Sequence, residues 1–189
     1  MRIRSLTCGL AAAAMVSLPL AGGPAVAVGP GAAPQAAPAP RVLTYDASGA
    51  AEFRSAVDRG AAAWNESVDS VELRPAASGQ RADIRVLADN GWPRAVPGSL
   101  GNGTVYIGRQ AVEQGYHTVR ISAHELGHIL GLPDRKPGPC SSLMSGASPG
   151  PGCTNVHPDA SERAEVEDNF SGAARTAPAA GALAGAALD

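Results

Sequence analysis

Residues 124 to 134 read His-Glu-Leu-Gly-His-Ile-Leu-Gly-Leu-Pro-Asp, and this stretch restricts the fold more tightly than any other. On a helix, His124 and His128 stand one turn apart on one face, so two imidazoles can meet at a single metal ion. Glu125 lies about 100° further round the axis. From there a carboxylate reaches a water activated by the metal without itself becoming a ligand, which is what a general base requires. Gly131 suits the left-handed conformation that stops a helix, so the chain can reverse and Asp134 can return as a third ligand. Two imidazoles and one carboxylate leave an open position on zinc, the arrangement of a catalytic rather than a structural site. Taken singly, His128 reads as a core histidine and Asp134 as a turn aspartate after Pro133; the combination carries the argument.

Around this segment the order is strand, helix, strands, helix, loops and helix. Arg41 to Tyr45 is a short extended run. Phe53, Val57, Ala61 and Trp64 form one face of a helix within 51–68. Val71 to Arg74, Ala82 to Leu87 and Thr104 to Ile107 are β-prone and read as strands of one sheet, with a Gly/Pro/Asn-rich loop before the last. The helix bearing the histidines is predicted over 118–130, with Val119, Ala123, Leu126 and Leu130 towards the core. Asp159 followed by Glu162 fits a capping box that opens a last helix running to about Phe170. The expected fold class is α+β, a small twisted mixed sheet with a metal-binding helix and a C-terminal helix.

Arg2 and Arg4, an apolar run from Leu6 to Leu20 and the small residues Ala25-Val26-Ala27 read as an export signal over 1–27. Gly9 and Pro19 break the run, which falls short of the ~20 apolar residues of a membrane span. A secreted, extracellular protein without a membrane anchor is expected. Residues 28–41 are rich in Ala and Pro and read as a pro-segment. Residues 173–189 are an Ala/Gly-rich tail with too little apolar surface to offset ordering, so a disordered tail is expected and the domain occupies 42–172. Cys8 leaves with the signal. Cys140 and Cys153 then have only each other to pair with in an oxidising compartment, two free thiols being the alternative. A formal net charge of -2, with both signs scattered along the chain, provides no basic face for nucleic acid, and a monomer is expected.

The His-Glu-x-x-His-x-x-Gly-x-x-Asp pattern resembles snapalysin, a metzincin-like family of small secreted bacterial neutral zinc metalloproteinases. The resemblance extends through Gly138-Pro-Cys140, Leu143-Met-Ser-Gly146, Pro149-Gly-Pro-Gly-Cys153-Thr-Asn155 and Glu162-Arg163, and back to Thr44-Tyr-Asp46 and Trp64-Asn65. It thus covers nearly all of 42–172. It implies an endopeptidase acting on proteins or peptides, one catalytic Zn2+ on His124, His128 and Asp134, and Glu125 as base. It further implies a Met-turn at Met144, whose thioether floors the imidazoles, and a Cys140–Cys153 bridge. The strand over Thr104 to Gly108 becomes the candidate sheet edge for an extended peptide, with an ordinary internal strand as the alternative. Similar members carry a tyrosine where Lys136 stands, which puts Lys136 near the substrate pocket. They carry an aspartate implicated in calcium binding where His117 stands, which leaves Ca2+ open beside zinc.

Two other classes stay open at this point. A zinc amidase acting on cell-wall or other non-protein amides uses the same residues, and a zinc-stabilised binding module is the non-catalytic reading. The latter has no use for Glu125 and favours a closed four-ligand site. Ser122, read as a helix-surface residue, and Ser145 both lack the G-x-S-x-G setting of an activated serine.

Overall fold

The computed structural model describes residues 39–171; the expected export signal, residues 28–38 of the expected pro-segment and the expected tail lie outside the described residues. Arg41, placed by sequence at the end of the pro-segment, is the first residue of strand β1 (Arg41–Gly49), where it pairs with Val71. The α+β expectation holds. After β1 come a 3-10 turn (Ala51–Phe53), α1 (Arg54–Asn65), β2 (Val71–Pro75), β3 (Ile84–Asp89), β4 (Arg94–Pro97) and β5 (Gly103–Gly108). A short α2 (Arg109–Glu113), α3 (Thr118–Ile129), a 3-10 turn (Leu143–Ser145) and α4 (Ala160–Phe170) complete the described chain.

The five strands form one sheet in the order β2-β1-β3-β5-β4, parallel except for the antiparallel pair β4 and β5. Alternation puts Leu43, Tyr45 and Ala47 of β1, Ile84 and Val86 of β3, and Val105 and Ile107 of β5 into the core. The predicted apolar faces are buried: Phe53 of the 3-10 turn, Val57, Ala61 and Trp64 of α1, Ala123 and Leu126 of α3 and Leu130 at its C-cap join that same core, while Val119 of α3 is buried outside it. The indole of fully buried Trp64 donates to the Ala123 carbonyl at 2.8 Å, which locks α1 onto the helix that carries the histidines.

Three readings of the sequence are corrected here. β5 lies between β3 and β4, so it is an internal strand and the sheet edge facing the cleft is β4. The sequence read β4 as loop because its four residues are partly or fully exposed and carry no apolar alternation; pairing with β5 makes it a strand. Ser122 is fully buried, not on the helix surface, and its hydroxyl donates to the Thr118 carbonyl at 3.0 Å. It sits where Gly60 of α1 meets α3. Among the described residues no helix is long and apolar enough to cross a membrane.

Candidate active site

α3 ends as its sequence implies. Gly131 adopts φ 97°, and the amide of Leu132 reaches back to the Gly127 carbonyl at 3.0 Å, closing the helix and turning the chain. That reversal returns Asp134 to the histidines. Asp134 Oδ1 lies 3.2 Å from His124 Nε2 and 3.5 Å from His128 Nε2, and the two Nε2 atoms are 3.2 Å apart. Ligands at tetrahedral angles on zinc, with bonds of ~2.0 Å, stand about 3.3 Å from one another. The three atoms are spaced as such an ion requires.

The tautomers point the same way. His124 Nδ1 lies 3.0 Å from the Leu143 carbonyl, and His128 Nδ1 lies 2.8 Å from the Leu132 carbonyl. A carbonyl only accepts, so each Nδ1 carries a proton and each neutral ring turns its Nε2 lone pair inwards. Two lone pairs and a carboxylate oxygen facing one another repel unless a cation lies between them. The donor set therefore fits a divalent metal, and zinc suits two imidazoles and a carboxylate. Among the described residues these three form the one group of metal-ligating side chains so arranged.

The surrounding charges keep the ligands in binding form. Burial pulls the His128 pKa down and favours the neutral ring. The Lys136 ammonium beside it favours the ionised form of the Asp134 carboxyl and lowers its pKa. Lys136 Nζ sits 3.0 Å from Asp134 Oδ2, so one carboxylate oxygen faces the histidines and the other meets an ammonium. Glu125 differs: burial pushes its carboxyl up to about 7. A bound dication would pull that value down again by stabilising the charged form. All these groups border a cleft of about 620 Å³, walled by residues 92–95 and Pro97 on one side and by Pro133, Asp134, Lys136, Gly146 and Ala147 on the other.

Beneath the ligands runs the 142–146 segment. Met144 is fully buried, and a Cβ added at Gly127 would stand 2.7 Å from its sulfur, so only glycine there lets the thioether press against α3. The Met144 carbonyl accepts the Arg135 amide at 2.8 Å, which binds the strand of chain carrying Asp134 to the same segment. Ser145 is buried, with its hydroxyl within 2.9 Å of the Pro139 and Ser142 carbonyls, and it is not available as a nucleophile. Cys140 and Cys153 form the predicted disulfide, closing a loop around this segment across a sequence separation of 13.

Residues 41–172 match the Streptomyces extracellular neutral proteinase (M7) family. The chain belongs to that family. The "Extracellular small neutral protease" of Streptomyces caespitosus is 43% identical over 126 residues, which cover 66% of this chain and 92% of that protein. Proteins of the same name from Streptomyces sp. (strain C5) and Streptomyces coelicolor are 42% and 44% identical over 124 and 128 residues. In those two the match covers 66% of this chain but only 54% and 57% of the relative, so the chain spans little more than half their length.

Within this M7 chain the structure brings together His124, Glu125, His128, Asp134 and Lys136 in one cleft and packs Met144 against Gly127, between the two histidines on α3. His117 is separate from the ligand group. It caps α3, its Nδ1 accepting the Arg120 amide at 3.3 Å. Sequence reasoning missed Arg120, which stands one turn before His124 and is buried under the loop, and it read Glu162 only as a capping residue. A charged side chain four residues ahead of the first ligand, on a helix face otherwise spent on the site, was the available signal for Arg120.

Proposed function

We propose that this M7 protein is an extracellular zinc endopeptidase, hydrolysing peptide bonds of proteins by direct attack of water. The observation that carries the reading is the pair of inward-facing Nε2 lone pairs closed into a triangle by Asp134 Oδ1 under an open cleft. His124, His128 and Asp134 hold the ion in this proposal. When bound, zinc supplies Lewis acidity for the scissile carbonyl and lowers the pKa of water. Glu125 takes the proton of the attacking water and later delivers it to the leaving amine nitrogen. The Leu143 and Leu132 carbonyls keep the imidazoles in register, and Met144 packs against Gly127 between them.

An extended substrate is proposed to lie along β4, the edge strand that borders the cleft, with its backbone hydrogen-bonded to β4 and its scissile carbonyl over Glu125. The cleft is complete within one chain, which supports action as a monomer, and the scattered charge supports neither a nucleic-acid nor a membrane partner. The test is proteolysis of casein by the purified protein with its metal content measured. We expect about one zinc per chain, loss of activity with a chelator and recovery on adding zinc back. Hydrolysis of cell-wall fragments with casein untouched would favour the amidase reading instead.

Lys136 is proposed to bear on the side chain that follows the cleaved bond. Its ammonium sits at the cleft beside Asp134 and is about half exposed, so it offers an acidic substrate group a partner and offers an aromatic one no ring face. Lys136→Tyr should shift peptide-library cleavage towards aromatic residues after the bond and reduce tolerance of acidic ones. Indistinguishable profiles would remove Lys136 from the pocket.

A further inference from the structure

Arg120 is 5% exposed, yet no carboxylate among the described residues lies within ion-pair distance of it. Taking a guanidinium out of water is costly unless its donors are met, and here they are met almost wholly by backbone oxygens. Nη1 donates to the Asn155 carbonyl at 2.8 Å; Nη2 donates to the Ser142 carbonyl at 2.8 Å and to Ser145 Oγ at 2.9 Å. The carbonyls of Cys140, Leu143 and Gly146 stand 3.4–3.5 Å away. One planar fork thus gathers the loop from both sides of Met144.

The same loop is held from its other face. Glu162 of α4, fully buried, accepts the Ser142 hydroxyl, the Leu143 amide at 3.0 Å and the Met144 amide at 2.9 Å. The amides of Leu143 and Met144 are therefore pinned to Glu162, and the carbonyls of Ser142 and Leu143 to α3. On α3 the two contacts come from residues one turn apart, Arg120 on the Ser142 carbonyl and His124 on the Leu143 carbonyl. The orientation of the His124 ring is only as definite as the position of that carbonyl. The Met144 carbonyl, next along, anchors Arg135 beside Asp134.

We propose that Arg120 is a positioning residue for the metal centre. By drawing the 142–146 loop against α3 it fixes the carbonyl that orients His124 and the one that anchors the Asp134 segment, and so sets metal affinity without touching the metal. This rests on the reading of His124, His128 and Asp134 as the metal ligands.

The experiment measures zinc dissociation constants by chelator competition, alongside thermal melts of the metal-free proteins. The proteins are wild type, Arg120→Lys, Arg120→Met and Ser145→Ala. Leu73→Ala, in β2 at the opposite edge of the sheet, is the control that lowers stability without touching the loop. Loss of a partner that orients a ligand typically weakens metal binding about 10–100-fold. We expect a loss in that range for Arg120→Met, partial rescue in Arg120→Lys, a few-fold loss for Ser145→Ala and a wild-type constant for Leu73→Ala. If Arg120→Met fails to fold, the lysine and alanine variants carry the comparison. Wild-type constants in those variants, with melting lowered as in Leu73→Ala, would overturn the proposal and leave the ligand assignment standing. A wild-type protein that binds no zinc would overturn both.

Discussion

Glu125→Gln is expected to reduce casein hydrolysis by about 10³-fold or more while zinc remains bound at one per chain, because the change removes the proton acceptor and none of the three ligands. A second readout comes from the metal-free protein. Burial raises the Glu125 pKa from 4.5 to about 7, so between those values the folded chain holds a proton that the unfolded chain has released. Stability contributed by this group is complete below about pH 4.5, declines as pH rises and is lost above about pH 7, a difference of about 3 kcal/mol. Glutamine carries no such charge. Metal-free Glu125→Gln should therefore match the wild type at pH 4 and melt higher at pH 8. Near-wild-type proteolysis by the variant would eliminate Glu125 as the base, and equal melting at pH 8 would show that its carboxyl is not held in a desolvated place.

Cys140→Ser with Cys153→Ser should lower stability by about 3 kcal/mol, the chain-entropy value for a loop of this length, which corresponds to a fall in melting temperature on the order of 10 °C. Zinc should also bind less tightly. The bridge closes the loop that contains Leu143 and Met144, and the Cys140 carbonyl is itself a partner of Asn155. Freedom in this loop passes to the His124 ring through the Leu143 carbonyl. Melting curves of the oxidised wild type and the double variant, each with and without zinc, check both parts. A shift under about 2 °C would mean that the loop is held by Arg120 and Glu162 without help from the bridge.

Much of the site was legible in the sequence because its spacing obeys local geometry. Helical periodicity alone places His124 above His128, and a left-handed glycine alone explains why Asp134 returns. The apolar faces of α1 and α3 were readable for the same reason, and the capping box at Asp159 depends on contacts only three residues apart. β4 was not readable. Its four residues have neither apolar alternation nor strong strand propensity, and they are extended because β5 offers hydrogen bonds. The same pairing makes β5 internal, which no property of Thr104 to Gly108 announces.

Glu162 marks the division most clearly. Its bond to the Asp159 amide is set by local spacing, and the sequence alone determined it, along with the histidine-bearing helix, its ending at Gly131 and the residue types of the candidate ligand set. That the same carboxylate also receives the amides of Leu143 and Met144, with Arg120 closing on their loop from α3, was decided only by the tertiary structure. The physical reason is range. Capping and helical spacing are fixed by backbone geometry over a few residues. The polar groups of a buried loop, by contrast, must be satisfied by whatever side chains the packing of distant helices brings within reach.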